Sequence, residues 1–163
     1  MTGNQELSGQ EWAGLVEKEE RERESAMVQR YQELATLPDE ELDAQMREMA
    51  SSEYDLPDQE LRDFTVSRLR AWLDLEIDTA RKMADSYNRV METLPGGKAI
   101  RQVSMEQTLA RAFSPEDQAL LVEMEPGIFG AVAFAARLAK VDMDTQQALQ
   151  EPAKRRWWPF GKG

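Results

Sequence analysis

The chain has 163 residues, contains neither cysteine nor histidine, and carries a net charge of −11. This length matches one domain of ordinary size. Without cysteine there are no disulfides, thiolate nucleophiles or zinc–thiolate sites, and without histidine the commonest general base and metal ligand near neutral pH is missing. We therefore expect a non-catalytic protein with no metal site and no cofactor.

The negative charge is concentrated in the first part of the chain. Residues 1–60 hold 17 acidic and 5 basic side chains, whereas residues 61–163 hold 14 and 15. An acidic chain without a basic face is repelled by phosphate backbones, so nucleic acid is not an expected partner.

Residues 1–35 are predicted to form an acidic, extended N-terminal helix. Its middle, residues 17–25 (EKEERERES), has no apolar residue, so a helix there is solvated on all sides. Small apolar patches lie on either side, one around Trp12 and one formed by Met27, Tyr31 and Leu34. This pattern favours an exposed or partly frayed helix, and the alternative is an arm that docks on a partner. Trp12 fits either a core position or a partner contact, and we take it as a candidate contact.

Three segments carry the chemistry of a helix start, with a capping residue, an acid three positions later and a proline between them. They are residues 36–39, 55–58 and 114–117, capped in this prediction by Thr36, Asp55 and Ser114. The strings LPDEEL and LPDQEL at the first two starts lie 19 residues apart. Because the residues after them do not match, we interpret them as two similar caps and not as a repeat.

The strongest periodic signal runs from residue 61 to residue 94, where apolar residues recur every three or four positions as in a coiled-coil or bundle seam. One long helix is favoured over a break at residues 74–78 with Asp78 capping a second helix. Pro95, Gly96 and Gly97 end this element. Further helices are expected at residues 98–112, from Ser114 to Pro126, and at residues 128–141.

No period-2 run of β-branched residues occurs, so no sheet is expected. The sequence predicts an all-α fold, a helical bundle of four to six helices over residues 36–144, followed by a flexible linker and tail at residues 145–163. The apolar stretch at residues 127–141 contains Arg137 and Lys140 and is too short to span a bilayer.

The tail combines basic and aromatic side chains, a composition found in contact hot spots and in membrane-interface anchors. The candidate contact residues are Arg155, Arg156, Trp157, Trp158 and Phe160. Three interpretations stay open: the tail folds back on its own bundle, binds a groove on another protein, or contacts an anionic membrane surface.

We expect a protein-binding adaptor, assembly factor or regulatory subunit that acts through a helical apolar face and the tail. Its partner is another protein, or a second copy of the chain. The alternative is a peripheral membrane protein anchored weakly by its C-terminal helix and tail. The first residues lack the basic and apolar regions of a secretory signal, so a cytoplasmic location is expected, with the inner face of the membrane as the alternative site.

Overall fold

The computed structural model describes residues 9–130, which form helices joined by short connections. The α-helices are α1 (Gly9–Ala13), α2 (Glu20–Leu34), α3 (Asp39–Glu53), α4 (Asp58–Asp74), α5 (Ile77–Thr93), α6 (Gly96–Ala110) and α7 (Pro115–Met124). A 3-10 turn, Gly14–Glu17, follows α1, and residues 126–130 are helical again at the end of the described part. The all-α prediction is confirmed. The helices outnumber the expected four to six because one predicted helix is divided and the N-terminal segment adds another.

The helices start at a constant interval. Helices α2 to α7 begin at residues 20, 39, 58, 77, 96 and 115, each 19 residues after the one before. The two LPD strings are therefore consecutive members of a structural repeat, and our interpretation of them as unrelated caps was wrong. The repeat is hard to see in the sequence, because the 19-residue units share the type of residue at only a few positions and differ between those positions.

The same backbone geometry produces each start. The residue before α3 is Pro38, with φ −60° and ψ 154°, and Glu76 before α5 has φ −55° and ψ 138° although it is not proline. Two positions before each start from α3 onwards stands a large apolar residue that packs on the core: Leu37, Leu56, Leu75, Leu94 and Phe113. In each of these connections the apolar residue packs on the core, the next residue is extended, and the following helix begins directly after it.

The predicted capping residues are only partly correct. Ser114 caps α7, since its Oγ accepts a hydrogen bond from the Asp117 backbone N–H at 3.1 Å. Neither α3 nor α4 has a side-chain cap: Thr36 donates to the Glu33 carbonyl, and Asp55 pairs with Lys98. Prolines precede these two helices, and acidic residues in their first turns complement the helix dipole instead.

The segment predicted as one long helix forms two. Helix α4 ends at Asp74 and α5 begins at Ile77, with Leu75 extended between them. Leu75 is buried, so the break inserts its side chain into the core. The predicted apolar seam is thus divided between two helices that pack mainly on different neighbours.

The helices form two rows. Packing is strongest between alternate helices, so α1, α3, α5 and α7 make an odd row while α2, α4 and α6 make an even row. This is the arrangement of helical-repeat proteins, in which each unit buries its apolar face on its neighbours. Aromatic rings from four helices and from the turn after α3 adjoin one another in the core, each within 6.4 Å of the next: Trp12, Tyr31, Trp72, Tyr87 and Tyr54.

The N-terminal segment differs from the exposed arm that we expected. Helix α1 packs on α3 so closely that a Cβ at Gly9 would lie 2.7 Å from the Glu48 carbonyl oxygen. Met27, Tyr31 and Leu34 of α2 are fully buried, and the Arg23 guanidinium donates to Ser67 Oγ on α4 at 2.9 Å. The small apolar patches are sufficient to fix residues 9–34 on the bundle, while most of residues 17–25 stays exposed as predicted.

Two basic side chains brace equivalent turns of the repeat. Lys82 of α5 donates to the carbonyls of Ala35 and Leu37, at 2.9 and 3.0 Å. Nineteen residues later Arg101 of α6 donates to the carbonyls of Tyr54 and Leu56, at 2.7 and 2.8 Å. Each brace satisfies carbonyls at the end of one helix and ties that turn to a later repeat.

We predict that Lys82→Met lowers the free energy of unfolding by about 1–3 kcal/mol, because two half-buried carbonyls lose a charged donor. Urea denaturation followed by circular dichroism measures the change. The control is Arg81→Met on the same helix, whose ion pair with Glu123 is exposed and whose loss is expected to cost under about 1 kcal/mol. Equal effects of the two substitutions would contradict the bracing role.

Candidate functional site

A surface groove lies between α4 and α6, the last two helices of the even row. Two adjoining hollows of about 550 and 530 Å³ make up this α4–α6 groove, and both are lined by Arg62. The first has an apolar floor of Val66, Leu73, Leu109 and Phe113. Ile100 and Met105 line the second. Pockets of this size accept large apolar side chains of a ligand.

Two ion pairs, one exposed and one buried, join the helices that form the groove. Arg101 bridges α6 to Asp58 near the start of α4, and Arg68 of α4 binds Glu106 near the middle of α6. The side of α4 opposite its buried contact with Glu106, which we call the outer stripe, faces solvent in the gap between α4 and α6. The groove is therefore formed before any ligand arrives, which lowers the entropic cost of binding.

Charges of both signs surround the apolar floor. Arg70 at the edge pairs with Glu20 and Glu24 of α2. Asp74 and Asp117 also line the first hollow, and neither has an ion-pair partner among residues 9–130. The groove thus has an apolar centre with polar edges, which is the composition of a protein-binding surface.

Of the sequence-predicted contact residues, Trp12 is the one that lies within the described part of the chain. Trp12 is 1% exposed, and its ring lies between those of Tyr31 and Phe64 at 5.4 and 5.5 Å. Its expected exposure was wrong, because α1 folds onto the bundle and the ring fills the core. The tail residues Arg155, Arg156, Trp157, Trp158 and Phe160, together with the bulk of the predicted last helix, lie outside the described residues.

Sequence reasoning missed the groove although a signal for it was present. Val66 and Leu73 were assigned to the apolar seam, yet both are only half-buried, whereas Leu69 between them is fully buried. The alternation of Arg62, Val66, Arg70 and Leu73 along one face of α4 marks a surface with mixed character. Ile100, 74% exposed, is the most exposed large apolar residue of residues 9–130.

A second cluster, buried in the core, was also missed. The Arg68 guanidinium donates to Glu53 at 2.8 Å, to Glu106 at 2.6 Å and to the Tyr54 hydroxyl at 3.2 Å. It also lies over the ring of Tyr87, with its central carbon 4.5 Å from the ring centroid. Arg68 and Glu53 have fully buried side chains and that of Glu106 is 1% exposed.

This buried cluster follows the repeat. The residue ten positions after each helix start from α2 to α7 is buried, and these residues are Arg30, Met49, Arg68, Tyr87, Glu106 and Glu125, the last of which directly follows α7. A core position of the repeat thus carries an arginine in α4 and a glutamate in α6, the two helices that pack side by side. The detectable signal in the sequence was Arg68 itself, which stands among apolar residues on the buried face of α4.

Burial controls the protonation of the carboxyls. It raises the pKa of Glu106, an effect opposed by the charge of Arg68. Burial also raises the pKa of Glu125 to about 7, against the lowering effect of a hydrogen bond from the Asn88 side chain. Arg68, Glu53 and Glu106 are enclosed in the core, where their ion pairs link α3, α4 and α6.

Metal binding finds no support in the described part, since residues 9–130 contain no group of three or more acidic side chains arranged to hold a metal ion. No helix in the same residues is long and apolar enough to cross a membrane. Comparison of the chain with protein-family models, with curated proteins and with solved structures gives no match.

We predict that Arg68→Met lowers the free energy of unfolding by about 3–5 kcal/mol, because two buried carboxylates lose their counter-charge. The triple variant Arg68→Met, Glu53→Gln, Glu106→Gln removes those charges and is expected to recover about half of the loss or more. Urea denaturation measures both. A single variant within about 1 kcal/mol of the unchanged protein would contradict this account.

We also predict that Glu125 makes the protein less stable as the pH rises. The folded-state pKa of Glu125, about 7, exceeds the ordinary value of 4.5. Between these two pH values the folded state therefore binds more protons than the unfolded state does, and the free energy of unfolding falls by about 3 kcal/mol as the pH rises through that window. Urea denaturation between pH 5 and pH 8 measures the fall. Glu125→Gln keeps an acceptor for Asn88 and is expected to flatten it, and an unchanged slope would refute the assignment.

Proposed function

We propose that this protein is a non-catalytic protein-binding adaptor, assembly factor or regulatory subunit that holds a segment of another protein in the α4–α6 groove. The observation that carries the proposal is the groove itself, with Val66, Leu73 and Phe113 half-buried along its floor. Apolar side chains kept partly in water gain free energy when a ligand covers them. Neighbouring charges favour one orientation of that ligand.

The dimensions of the groove indicate what it accepts. Helix α4 has 17 residues, which corresponds to roughly 25 Å. A partner helix of about four turns, or an extended segment of about seven residues, matches that length. Both walls are helices fixed by the buried Arg68 cluster, so the partner is expected to adapt to the groove more than the groove to the partner.

The basic-aromatic tail remains the second proposed contact, as the sequence predicts. The alternative of a peripheral membrane protein depends on residues 131–163, which lie outside the described part. Flotation with anionic liposomes at low salt separates the two proposals, because an adaptor acting only through the groove stays with the soluble fraction.

We predict that Ile100→Glu weakens recovery of the bound partner about tenfold or more, since it places a charge in the apolar part of the groove. Ile100 is 74% exposed, so the fold tolerates the change. Affinity purification with quantitative mass spectrometry measures recovery. The matched control is Leu120→Glu on α7, an apolar residue that is 40% exposed and does not line the groove.

The two variants and a chain ending at Glu151 divide the outcomes. If only Ile100→Glu lowers recovery of the partner, binding is assigned to the groove. If the chain ending at Glu151 lowers recovery as well, a part of the binding is assigned to the tail. Equal recovery with Ile100→Glu and Leu120→Glu would refute the groove, provided that circular dichroism shows both variants folded.

A further inference from the structure

We propose that the chain's own basic-aromatic tail, residues 154–160, occupies the first hollow of the α4–α6 groove when no partner is bound, so that tail and partner compete. The inference rests on the groove being a binding site. It adds a means of regulating that site.

The first argument is chemical fit. The first hollow has a volume of about 550 Å³, which is the size of pockets that hold drug-sized apolar ligands. Two aromatic side chains together are close to such a ligand in size. Its floor contains Leu73 and Phe113, which the described helices leave half-buried. Trp157, Trp158 and Phe160 place three aromatic side chains within four residues of sequence.

The second argument is charge. Asp74 and Asp117 line the hollow without an ion-pair partner among residues 9–130, and Glu24 lies beside them. Arg70 is already engaged by Glu20 and Glu24. Residues 9–130 as a whole hold 27 acidic and 14 basic side chains, whereas residues 152–163 hold four basic and none acidic. Attraction between opposite charges thus draws the tail towards this body.

The third argument is position. Gln107 of α6 donates to the Ile128 carbonyl at 3.2 Å, so the described part of the chain ends beside α6, one of the two helices that line the groove. Lys154 follows Gly130 by 24 residues. With residues 128–141 helical, as the sequence predicts, the 12 residues from 142 to 153 can still span up to roughly 40 Å, which exceeds the roughly 25 Å length of α4.

Tethering makes even weak docking effective. A tail on such a linker experiences an effective concentration of about 1 mM, so docking with an intrinsic Kd of about 0.1 mM fills the hollow in roughly nine molecules of ten. A partner that needs the same hollow then binds about tenfold more weakly than it would to the empty groove. Removing or masking the tail activates the site.

Cysteine trapping in the full chain tests the inference, because the natural sequence has no cysteine to interfere. The test pair is Ala112→Cys, at an exposed position lining the hollow, with Gly161→Cys beside Phe160. The control pair is Ala44→Cys, also exposed but on α3 of the odd row, with the same Gly161→Cys. Intramolecular disulfide formation is followed in dilute solution by non-reducing electrophoresis and peptide mass spectrometry.

The test pair is expected to cross-link at least about tenfold faster than the control pair, and Trp157→Ala with Trp158→Ala is expected to abolish the difference. Equal rates would overturn the inference, and equal rates with flotation on anionic vesicles would assign the tail to a membrane surface. Disulfides between mixed single-cysteine chains would overturn occupancy by the same molecule and assign the groove to a second copy. Partner loss with Ile100→Glu is scored separately, so failure of this inference leaves the proposed function standing.

Discussion

One buried charge organises this protein. Arg68 is enclosed between Glu53, Glu106 and the ring of Tyr87, which belong to α3, α6 and α5. Burying a guanidinium is costly unless its charge is countered, and here Nε and Nη2 of Arg68 donate to two carboxylates while Nη1 has no hydrogen-bond partner among residues 9–130. The cluster therefore favours the one arrangement of these helices that keeps both carboxylates beside Arg68. It joins the two rows at their centre, where the aromatic rings also meet.

The groove is a consequence of the same constraint. Arg68 and Glu106 draw the inner sides of α4 and α6 together, while the brace from Arg101 to Asp58 fixes one end. The outer stripes of both helices are then left partly exposed, with Arg70 held at the edge by Glu20 and Glu24 of α2. The helix pair α4 and α6 thus has the groove on its outer side and a buried salt bridge on its inner side. Because the salt bridge holds the two helices rigidly, the groove is preorganised.

The repeat explains why polar residues stand in the core. Positions separated by 19 residues occupy equivalent environments, so Arg68, Tyr87 and Glu106 fall at corresponding places along three successive helices. Alternate helices are packed side by side, which brings residues 38 positions apart within hydrogen-bonding distance. At this position α4 and α6 contact each other through the ion pair of Arg68 and Glu106. At other positions of the repeat, neighbouring helices contact each other through apolar side chains.

Local sequence determined the elements, because helix propensity, apolar spacing and proline act over a few residues. All-α structure, the starts near residues 39, 58 and 115, and the end before Pro95 follow from such signals. The sequence left the break near Leu75 and the burial of Trp12 undecided and did not indicate the partners of Arg68, because each depends on residues far apart along the chain. Only the tertiary structure decided that alternate helices pack in rows, and that packing determined which residues of the predicted seam became core and that Val66 and Leu73 line the groove.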